Sequence, residues 1–530
     1  MLSVNNVSLQ FGGKKLFEDV NLKFTKGNCD GIIGANGAGK STFLKILSGE
    51  IEPNKGDVTL DKNERMSVLQ QNHNAFDGET VLRTVMLGYK RLVEIMDEKD
   101  ALYAKGAEFT DEDGIRAGEL ETEFAEMNGY EAETEAQQLL MALHIPMELH
   151  EKQMSELDAK MKVKVLLAQA VFGNPDVLLL DEPTNDLDLA STRWLENYLM
   201  DFENTIIIVS HNRHFLNKVC TNICDVDFGQ INMYVGNYDF WYQTSQLMAR
   251  QQKDQNKKAE QRAKELQEFI ARFSANASKS RQATSRKKEL EKLTINDFRP
   301  SLRKYPYIDF KSEREIGNDI LMVEGLTKKG YFEDVSFTVQ RDEKIGIVSD
   351  SSKAVTMLYD ILMGKEESDA GTVKWGKTII NSYFPTNNSE FFDGSELTLV
   401  EWLSQFSKDH YEEYLRGWLG RMLFSGEEAL KHAKVLSGGE KVRCMLAKMM
   451  LEGGNFLVMD EPTNHLDLET ITALNNGLKN FKGCMLLTSH DQELMNTVCN
   501  RIIEINGKKV YDKNTDYDSY VEEIAAREGK

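Results

Sequence analysis

The sequence predicts an α/β chain of two homologous modules joined by a basic helical-hairpin linker. The segment from Leu178 to Asp188 recurs as Leu457 to Asp467, 279 residues later. Self-similarity at this distance indicates a duplicated domain. Between the copies lies a Gln-, Lys-, Arg- and Glu-rich stretch whose apolar residues recur at helical spacing. We expect a first module at 1–240, the linker at 241–318 and a second module at 319–530.

Composition and charge exclude several classes of protein. The 530 residues include 64 Lys and Arg against 85 Asp and Glu, a net charge of −21. This charge argues against a surface that coats nucleic acid or anionic membrane indiscriminately. Six cysteines without a C-x-x-C pair fit neither a disulfide framework nor a zinc site. No apolar run approaches the ~20 residues that span a bilayer, and the N-terminus lacks signal-peptide features. We therefore expect a cytoplasmic protein.

A phosphate-binding loop is predicted near the start of the first module. Residues 34–41 read G-x-x-x-x-G-K-S, follow the apolar strand that ends at Ile33 and precede a helical run. Glycines let backbone N–H groups point at phosphates, Lys40 adds a mobile charge and Ser41 offers a hydroxyl to Mg²⁺. The candidate nucleotide-binding residues of this loop are Gly34, Ala35, Asn36, Gly37, Ala38, Gly39, Lys40, Ser41 and Thr42.

Polar residues at the ends of apolar strands complete the predicted chemistry. Asp181 ends one strand and is placed to hold Mg²⁺, and Glu182 beside it can orient or deprotonate the attacking water. His211 ends another apolar strand and can reach a γ-phosphate, while Gln71 can bridge metal and water. Because α/β sheets bind ligands at strand ends, these residues predict phosphoryl transfer to water. The predicted catalytic residues are Glu182, His211 and Gln71, and the predicted metal ligands are Ser41, Gln71 and Asp181.

Leu436-Ser437-Gly438-Gly439-Glu440, beside the repeated Asp-Glu-Pro-Thr-Asn blocks, resembles the signature of ATP-binding cassette (ABC) ATPases. Two such cassettes joined by a basic helical linker resemble family F of that group. The linker stretch 274–286 in particular is similar to that of bacterial members related to translation factors. The resemblance implies two tandem P-loop NTPase domains of the ABC type, with ATP and Mg²⁺ as cofactors and hydrolysis of ATP to ADP and phosphate.

The resemblance also implies a composite site. In the family, two cassettes of one monomer pair head to tail, and each ATP lies between the phosphate loop of one cassette and the signature of the other. Site one would combine the first-module residues with Ser437, Gly438 and Gly439 of the second module. Phe11 resembles the aromatic residue that stacks on adenine.

Site two is predicted to be degenerate. At an offset of 315 the second phosphate loop falls on 349–356, where Val355 replaces the lysine and no glycine remains. The first-module signature is assigned to Met154-Ser-Glu-Leu-Asp158, three residues longer before its helix, with Glu156 at a glycine position. Glu461 and His490 are nonetheless intact, for which retention as strand-end hydrogen-bonding groups is one reading. The residues of the degenerate site are Ser349, Ala354, Val355, Thr356, Thr386, Asp460, Glu461 and His490.

Two charged segments suggest partners. Residues 246–304 hold sixteen Lys and Arg against seven acids, and are either a solvated spacer or an RNA contact through Lys279, Arg281 and Arg286. The resemblance implies the ribosomal exit site, rRNA and P-site tRNA as that RNA. An insert at about 85–145 contains fifteen acids and three bases between 94 and 135. It is either a solvated helical face or a contact for a basic ribosomal protein.

The resulting expectation is an ATP-dependent, ribosome-binding translation factor that hydrolyses ATP at one composite site to control its release. Two alternatives remain open at this stage. One is the ATPase subunit of a membrane ABC transporter, which the polar linker and the missing membrane spans disfavour. The other is a nucleotide-sensing regulator that hydrolyses weakly. We expect no stable membrane partner.

Overall fold

The structure is a computed structural model that describes residues 1–11, 14–106, 109–185, 187–273, 285–290 and 303–527. The chain divides into two compact units. The first unit contains residues 1–210 and 215–302, and the second contains residues 211–214 and 303–530.

The first unit is built on a six-stranded sheet of order β5-β6-β7-β3-β8-β9 beside a three-stranded antiparallel sheet of order β2-β1-β4. Within the larger sheet β9 pairs antiparallel to β8, and the other neighbours are parallel. The central strands β6 and β7 are almost wholly apolar because helices cover both faces of a parallel sheet. The strands are β1 (Leu2–Phe11), β2 (Lys14–Phe24), β3 (Cys29–Gly34), β4 (Lys55–Leu60), β5 (Met66–Val68), β6 (Val177–Asp181), β7 (Thr205–Val209), β8 (Asn222–Asp227) and β9 (Gln230–Val235).

Helices of this part of the chain include those of the acidic insert. The helices are α1 (Lys40–Leu47), α2 (Val81–Met86), α3 (Lys90–Tyr103), α4 (Asp111–Glu126), α5 (Ala132–Ala142), α6 (Ala159–Val171), α7 (Leu189–Met200), α8 (Arg213–Val219) and α9 (Tyr238–Phe273), with 3₁₀ turns at Leu87–Tyr89, Gly129–Glu131, Met147–Leu149 and Met154–Glu156. Helices α3, α4 and α5 form the insert. Its few basic residues pair internally, as Arg116 Nε does with Glu98 Oε1 at 2.7 Å. Ion pairs engage seven of the fifteen acids between 94 and 135, and the acids outnumber the bases, so the insert keeps a net negative charge.

The linker begins with α9, a helix of 36 residues, and a short helical segment follows at 285–290. Arg286 Nη1 donates to Glu289 Oε2 at 2.7 Å, so its charge is partly neutralised within its own segment. Lys279 and Arg281 lie outside the described residues. Every helix in the described ranges is too short or too polar to span a bilayer.

The second unit repeats the sheet order as β14-β15-β16-β12-β17-β18, beside the small sheet β11-β10-β13. Its strands are β10 (Leu321–Lys328), β11 (Phe332–Val339), β12 (Lys344–Val348), β13 (Ala370–Trp375), β14 (Asn381–Phe384), β15 (Phe456–Asp460), β16 (Cys484–Thr488), β17 (Arg501–Asn506) and β18 (Lys509–Lys513). Its helices are α10 (Ser352–Leu362), α11 (Ser389–Phe392), α12 (Leu399–Ser404), α13 (Glu412–Arg421), α14 (Gly438–Glu452), α15 (Leu468–Asn480), α16 (Gln492–Val498) and α17 (Tyr517–Arg527), with 3₁₀ turns at Gly426–Leu430 and Ala433–Val435. The matching sheet orders confirm the predicted duplication of an α/β module.

Candidate nucleotide site

The first-unit phosphate loop connects β3 to α1. Gly37 and Gly39 have φ of 76° and 102°, backbone conformations that a residue with a Cβ rarely adopts. Lys40 is buried, and its Nζ donates to the carbonyl oxygens of Gly34 and Ala35 at 2.8 and 3.3 Å. Helix α1 begins at Lys40, and no described side chain caps its first turn. An uncapped helix N-terminus behind a glycine loop is a ready site for a phosphate anion.

A polar cluster lies beside this loop at the end of β6. Gln71 Nε2 donates to Asp181 Oδ2 at 2.6 Å, and Ser41 also hydrogen-bonds the Asp181 carboxylate. Burial raises the pKa of Asp181, although both hydrogen bonds and the charge of Lys40 act in the opposite direction. The structure therefore brings the three predicted metal ligands together.

These residues fit Mg²⁺. Asp181 Oδ1 is buried and accepts no hydrogen bond from the described residues, so a carboxylate oxygen is available to a cation. Mg²⁺ takes hard oxygen ligands and is usually held by one or two carboxylates together with substrate phosphates. Asp181 and Ser41 supply such ligands, and the bound ion would neutralise charge on the phosphates. Within the described ranges no three His, Cys, Asp or Glu side chains cluster to form a separate metal site.

Glu182 lies at the edge of a cavity of about 170 Å³ that also reaches Gln71 and Asp181. Its φ is 51°, and its backbone N–H donates to the carbonyl oxygen of Val209 at 2.8 Å. A non-glycine residue in this left-handed conformation is held there by its surroundings. The neighbouring strand thus fixes the turn that carries the carboxylate. His73, which belongs to none of the predicted motifs, also lines this cavity.

The place of the other predicted residues relative to this cluster stays a prediction. His211 follows β7 in the segment 211–214, which groups with the second unit. The side chain of Phe11 lies outside the described residues. Ser437 caps α14 in the second unit by accepting from the backbone N–H of Glu440, and Gly438 and Gly439 form the first turn of that helix. Their joining with the first-unit loop stays a prediction.

The second-unit loop has a different conformation. Helix α10 begins at Ser352, three residues earlier than α1 at the 315-residue offset, so its first turn occupies the place of Gly37 to Gly39. Ser351 caps this helix by accepting from the N–H of Ala354. None of residues 349–356, all of them described, has a positive φ. Val355, at the lysine position, is 3% exposed and packs in an apolar core cluster.

The strand-end cluster of the second unit persists without a phosphate loop. Thr356 Oγ1 donates to Asp460 Oδ2 at 2.7 Å, and Thr386 hydrogen-bonds the same carboxylate. Burial raises the pKa of Asp460 and also that of Glu461. Glu461 Oε2 accepts from the backbone N–H of His490 at 3.0 Å. The acidic residues of this cluster are thus engaged by their own unit.

The predicted position of the first-module signature is wrong. The 3₁₀ turn Met154–Glu156 matches the turn Ala433–Val435, and α6 and α14 begin at Ala159 and Gly438, each 279 residues apart. Asp158, which caps α6, therefore occupies the place of Ser437, and nothing is inserted. Ala159 and Lys160, rather than Glu156, stand at the two glycine positions. Ser155 resembles the signature serine, but it lies three residues before Asp158, the true counterpart of Ser437.

Residues outside the motifs also determine the second loop. Asn506 Oδ1, at the end of β17, accepts from the N–H of Asp350 at 2.9 Å and from Ser349 Oγ at 3.3 Å. No local sequence signal identifies a partner 156 positions away. Ser351, in contrast, could have been recognised as a helix cap, because a serine precedes a run of helix formers.

Comparison with known families agrees with the duplicated fold. A family described as ABC transporter matches residues 17–185 and 332–464. A second family with the same description matches residues 224–310, which include α9 and most of the linker. The two matches of the first family cover both phosphate-loop positions and both strand ends that carry Asp181 and Asp460.

Several relatives match along nearly the whole chain. An uncharacterized ABC transporter ATP-binding protein, YkpA of Bacillus subtilis (strain 168), is 61% identical over 98% of this chain and 97% of its own. ABC transporter F family member 2 of Arabidopsis thaliana is 30% identical over 99% of this chain and 80% of its own. The energy-dependent translational throttle protein EttA of Mycobacterium tuberculosis (strain ATCC 25618 / H37Rv) is 30% identical over 95% of this chain and 91% of its own. A solved structure named RNase-L Inhibitor has the same fold, with a TM-score of 0.62 at 18% identity over 98% of this chain and 93% of that one.

Proposed function

Because the chain belongs to family F of the ATP-binding cassette ATPases, we propose that it is a ribosome-binding translation factor whose docking and release are governed by ATP at a single composite site. The observation that carries the proposal is the contrast between the two phosphate loops. The first is open at the N-terminus of α1, whereas α10 and Ser351 fill the second. One nucleotide therefore controls the state of the chain.

In the proposed site one, Lys40 and the second-unit Ser437 hold the γ-phosphate, and Ser41 with Asp181 hold Mg²⁺. Glu182 orients or deprotonates water, with Gln71 and His211 as its partners. Such a site forms only when the two units pair head to tail within one monomer. The ATP-bound chain is then closed and docks, and hydrolysis opens it and releases it. ATP turnover sets the time that the factor spends on its partner.

Support for the ribosome as partner comes from charge and from one relative. The linker stretch 246–304 carries nine more bases than acids on a chain of net charge −21, which concentrates phosphate attraction at one place. The relative named a translational throttle is 30% identical over 95% of this chain. We propose that Lys279, Arg281 and Arg286 approach rRNA and the P-site tRNA from the exit site. Arg286 shares its charge with Glu289, so Lys279 and Arg281 carry most of the contact.

The acidic insert is proposed to meet a basic ribosomal protein. Its arginines form ion pairs within the insert, as Arg91 Nε does with Glu123 Oε1 at 2.7 Å. The remaining carboxylates would repel bare RNA and attract a cationic protein surface. The factor would then act in the cytoplasm and bind the ribosome through the linker and the insert together.

The test is co-sedimentation of the Glu182→Gln variant with purified ribosomes in ATP and in ADP. Removing the carboxylate while leaving ATP binding intact traps the closed form, so we expect pelleting in ATP and not in ADP. Glu461→Gln, the same substitution in the second unit, is the matched control and should not trap. Reversal of Lys279 and Arg281 to Glu in the Glu182→Gln chain should abolish pelleting without changing ATP affinity.

A transporter subunit is the competing function, which the description of the matched family itself raises. It is distinguished by adding membrane vesicles to the same experiment. If the Glu182→Gln chain pellets with membranes in ATP and stays in solution with ribosomes, the ribosome proposal is wrong. Pelleting with ribosomes alone, weakening as salt rises, supports a contact with nucleic-acid phosphates.

A further inference from the structure

Glu461 begins a turn after β15. Because the second site is proposed to bind no phosphate, this turn needs another explanation. We call residues 461–467 the second-unit turn. Glu461 is 6% exposed, and its φ of 52° lies in the left-handed region. Its backbone N–H donates to the carbonyl oxygen of Thr488 at 2.9 Å, while Oε2 accepts from the N–H of His490 at 3.0 Å. His490 Nε2 lies 3.5 Å from Glu461 Oε1. Glu461 thus joins the end of β15 to the segment after β16.

A second hydrogen bond ties the same two segments together. Thr463 Oγ1 and Ser489 Oγ lie 2.9 Å apart, and both residues are buried. At the far end of the turn, Asp467 accepts from the N–H of Thr470 and caps α15. The turn is therefore fixed at its start, near its middle and at its end. An uncompensated loss of a buried partner in such a network is costly, because the remaining donor stays desolvated.

The signature of the second unit packs directly on this turn. His465 has a φ of 65°. A Cβ added to Gly438 would lie 3.0 Å from the imidazole Cγ of His465, and one added to Gly439 would lie 2.7 Å from its carbonyl oxygen. A side chain at Gly439 would force the His465 backbone to shift, and one at Gly438 would crowd the imidazole. The position of His465 consequently determines where the first turn of α14 can lie.

We infer that Glu461 is a positioning residue for site one, acting through the second-unit turn and His465 on the Ser437–Gly439 signature. The inference rests on the proposed composite site, in which that signature completes the first-unit phosphate loop. It explains why the carboxylate is retained in a unit whose own loop is filled by α10. In this proposal Glu461 maintains the conformation of the Ser437–Gly439 signature, which completes the nucleotide site of the first unit.

The test measures steady-state ATP turnover by the full chain with matched substitutions. Glu461→Gln keeps an acceptor for the N–H of His490, whereas Glu461→Ala removes it. We expect Glu461→Gln to stay within about twofold of the parent chain and Glu461→Ala to lose about tenfold in kcat. KM for ATP should change little, because the first-unit loop makes the initial contact.

A second pair of variants makes the test independent of any folding defect in Glu461→Ala. Thr463→Val removes the hydroxyl bond to Ser489 at nearly constant volume, and Thr463→Ser restores a hydroxyl. Thr463→Val should lower kcat in the same way, and Thr463→Ser should recover it. Equal losses in Glu461→Gln and Glu461→Ala would make Glu461 a chemical participant and overturn the inference. Unchanged kcat in both Glu461→Ala and Thr463→Val would overturn it as well.

Gly439→Val separates this inference from the composite site on which it rests. The valine clashes with the His465 carbonyl and blocks the signature, so turnover should be lost if the site is composite. Normal turnover by Gly439→Val would reject the composite site and the inference together. Loss of turnover in Gly439→Val with normal turnover in Glu461→Ala and Thr463→Val would reject the inference alone.

Discussion

The side-chain oxygen of Asn506 accepts the backbone N–H of Asp350 at 2.9 Å, and this bond closes the second phosphate loop from the opposite end of its unit. At the N-terminus of the following helix, the Ser351 hydroxyl satisfies the N–H of Ala354. Backbone donors of this kind cradle phosphate in a working loop. In the second unit, side chains of the unit itself accept these N–H groups. The second loop therefore lacks both the lysine and the free donors that would bind phosphate.

Restoring the lysine should therefore not restore the second site. In Val355→Lys we expect no additional ATP per chain by equilibrium dialysis, because α10 still begins at Ser352. We also expect a loss of roughly 2–4 kcal/mol in stability, since the side chain is 3% exposed and packs in the core. Recovery of a second tight ATP with unchanged thermal stability would show that the missing charge alone disables the loop.

Asp181 and Asp460 occupy matching strand ends but should differ in function. Asp181→Asn removes a proposed metal ligand, and we expect Mg²⁺-dependent turnover to fall by about 100-fold or more. Asp460→Asn keeps an oxygen that can accept from Thr356 and should change turnover by less than about twofold. The comparison is made by phosphate release at saturating Mg²⁺. Similar losses in the two variants would mean that both strand ends hold metal.

Arg303, in the last part of the linker, forms a buried ion pair with Glu469. Arg303 Nε donates to Glu469 Oε1 at 2.8 Å, with side chains 10% and 5% exposed. Breaking a buried pair from one side leaves an uncompensated charge, so Arg303→Ala should destabilise the second unit by about 3–5 kcal/mol. Urea unfolding measures the effect. As a control, Glu396→Ala breaks the exposed pair with Lys434 and should lower the free energy of unfolding by less than about 1 kcal/mol. Equal losses of stability in the two variants would contradict the role of the buried Arg303–Glu469 pair.

Asp30 should make the first unit less stable as pH rises. Burial raises its pKa to about 6, although Asn222 Nδ2 donates to Oδ1 at 3.0 Å. Unfolding returns the carboxyl to its ordinary pKa of 3.8, so between these values the folded state holds more protons and loses stability with rising pH. Asp30→Asn keeps the acceptor and should add about 1–3 kcal/mol at neutral pH, with no gain near pH 4. Thermal melts at both pH values test this, and an equal gain at each would contradict it.

The motifs of the first unit could be predicted because their chemistry is local. A glycine loop, its lysine and the strand that ends at Asp181 each follow from a few consecutive residues. The place of Asp158 could not be found in this way, because a serine nearby imitates the signature and only the helix start at Ala159 fixes the register. Asn506 was missed for another reason, since tertiary packing alone brings it to the loop.

Counting ATP per chain tests most directly the claim that one site works. Equilibrium dialysis of the full chain with Mg²⁺ and ATP, in the Glu182→Gln variant that we expect not to hydrolyse ATP, should give one tightly bound nucleotide. Adding Lys40→Ala should abolish it, because the charge at the first loop is lost. Two tightly bound ATP molecules, or one that survives Lys40→Ala, would contradict the account.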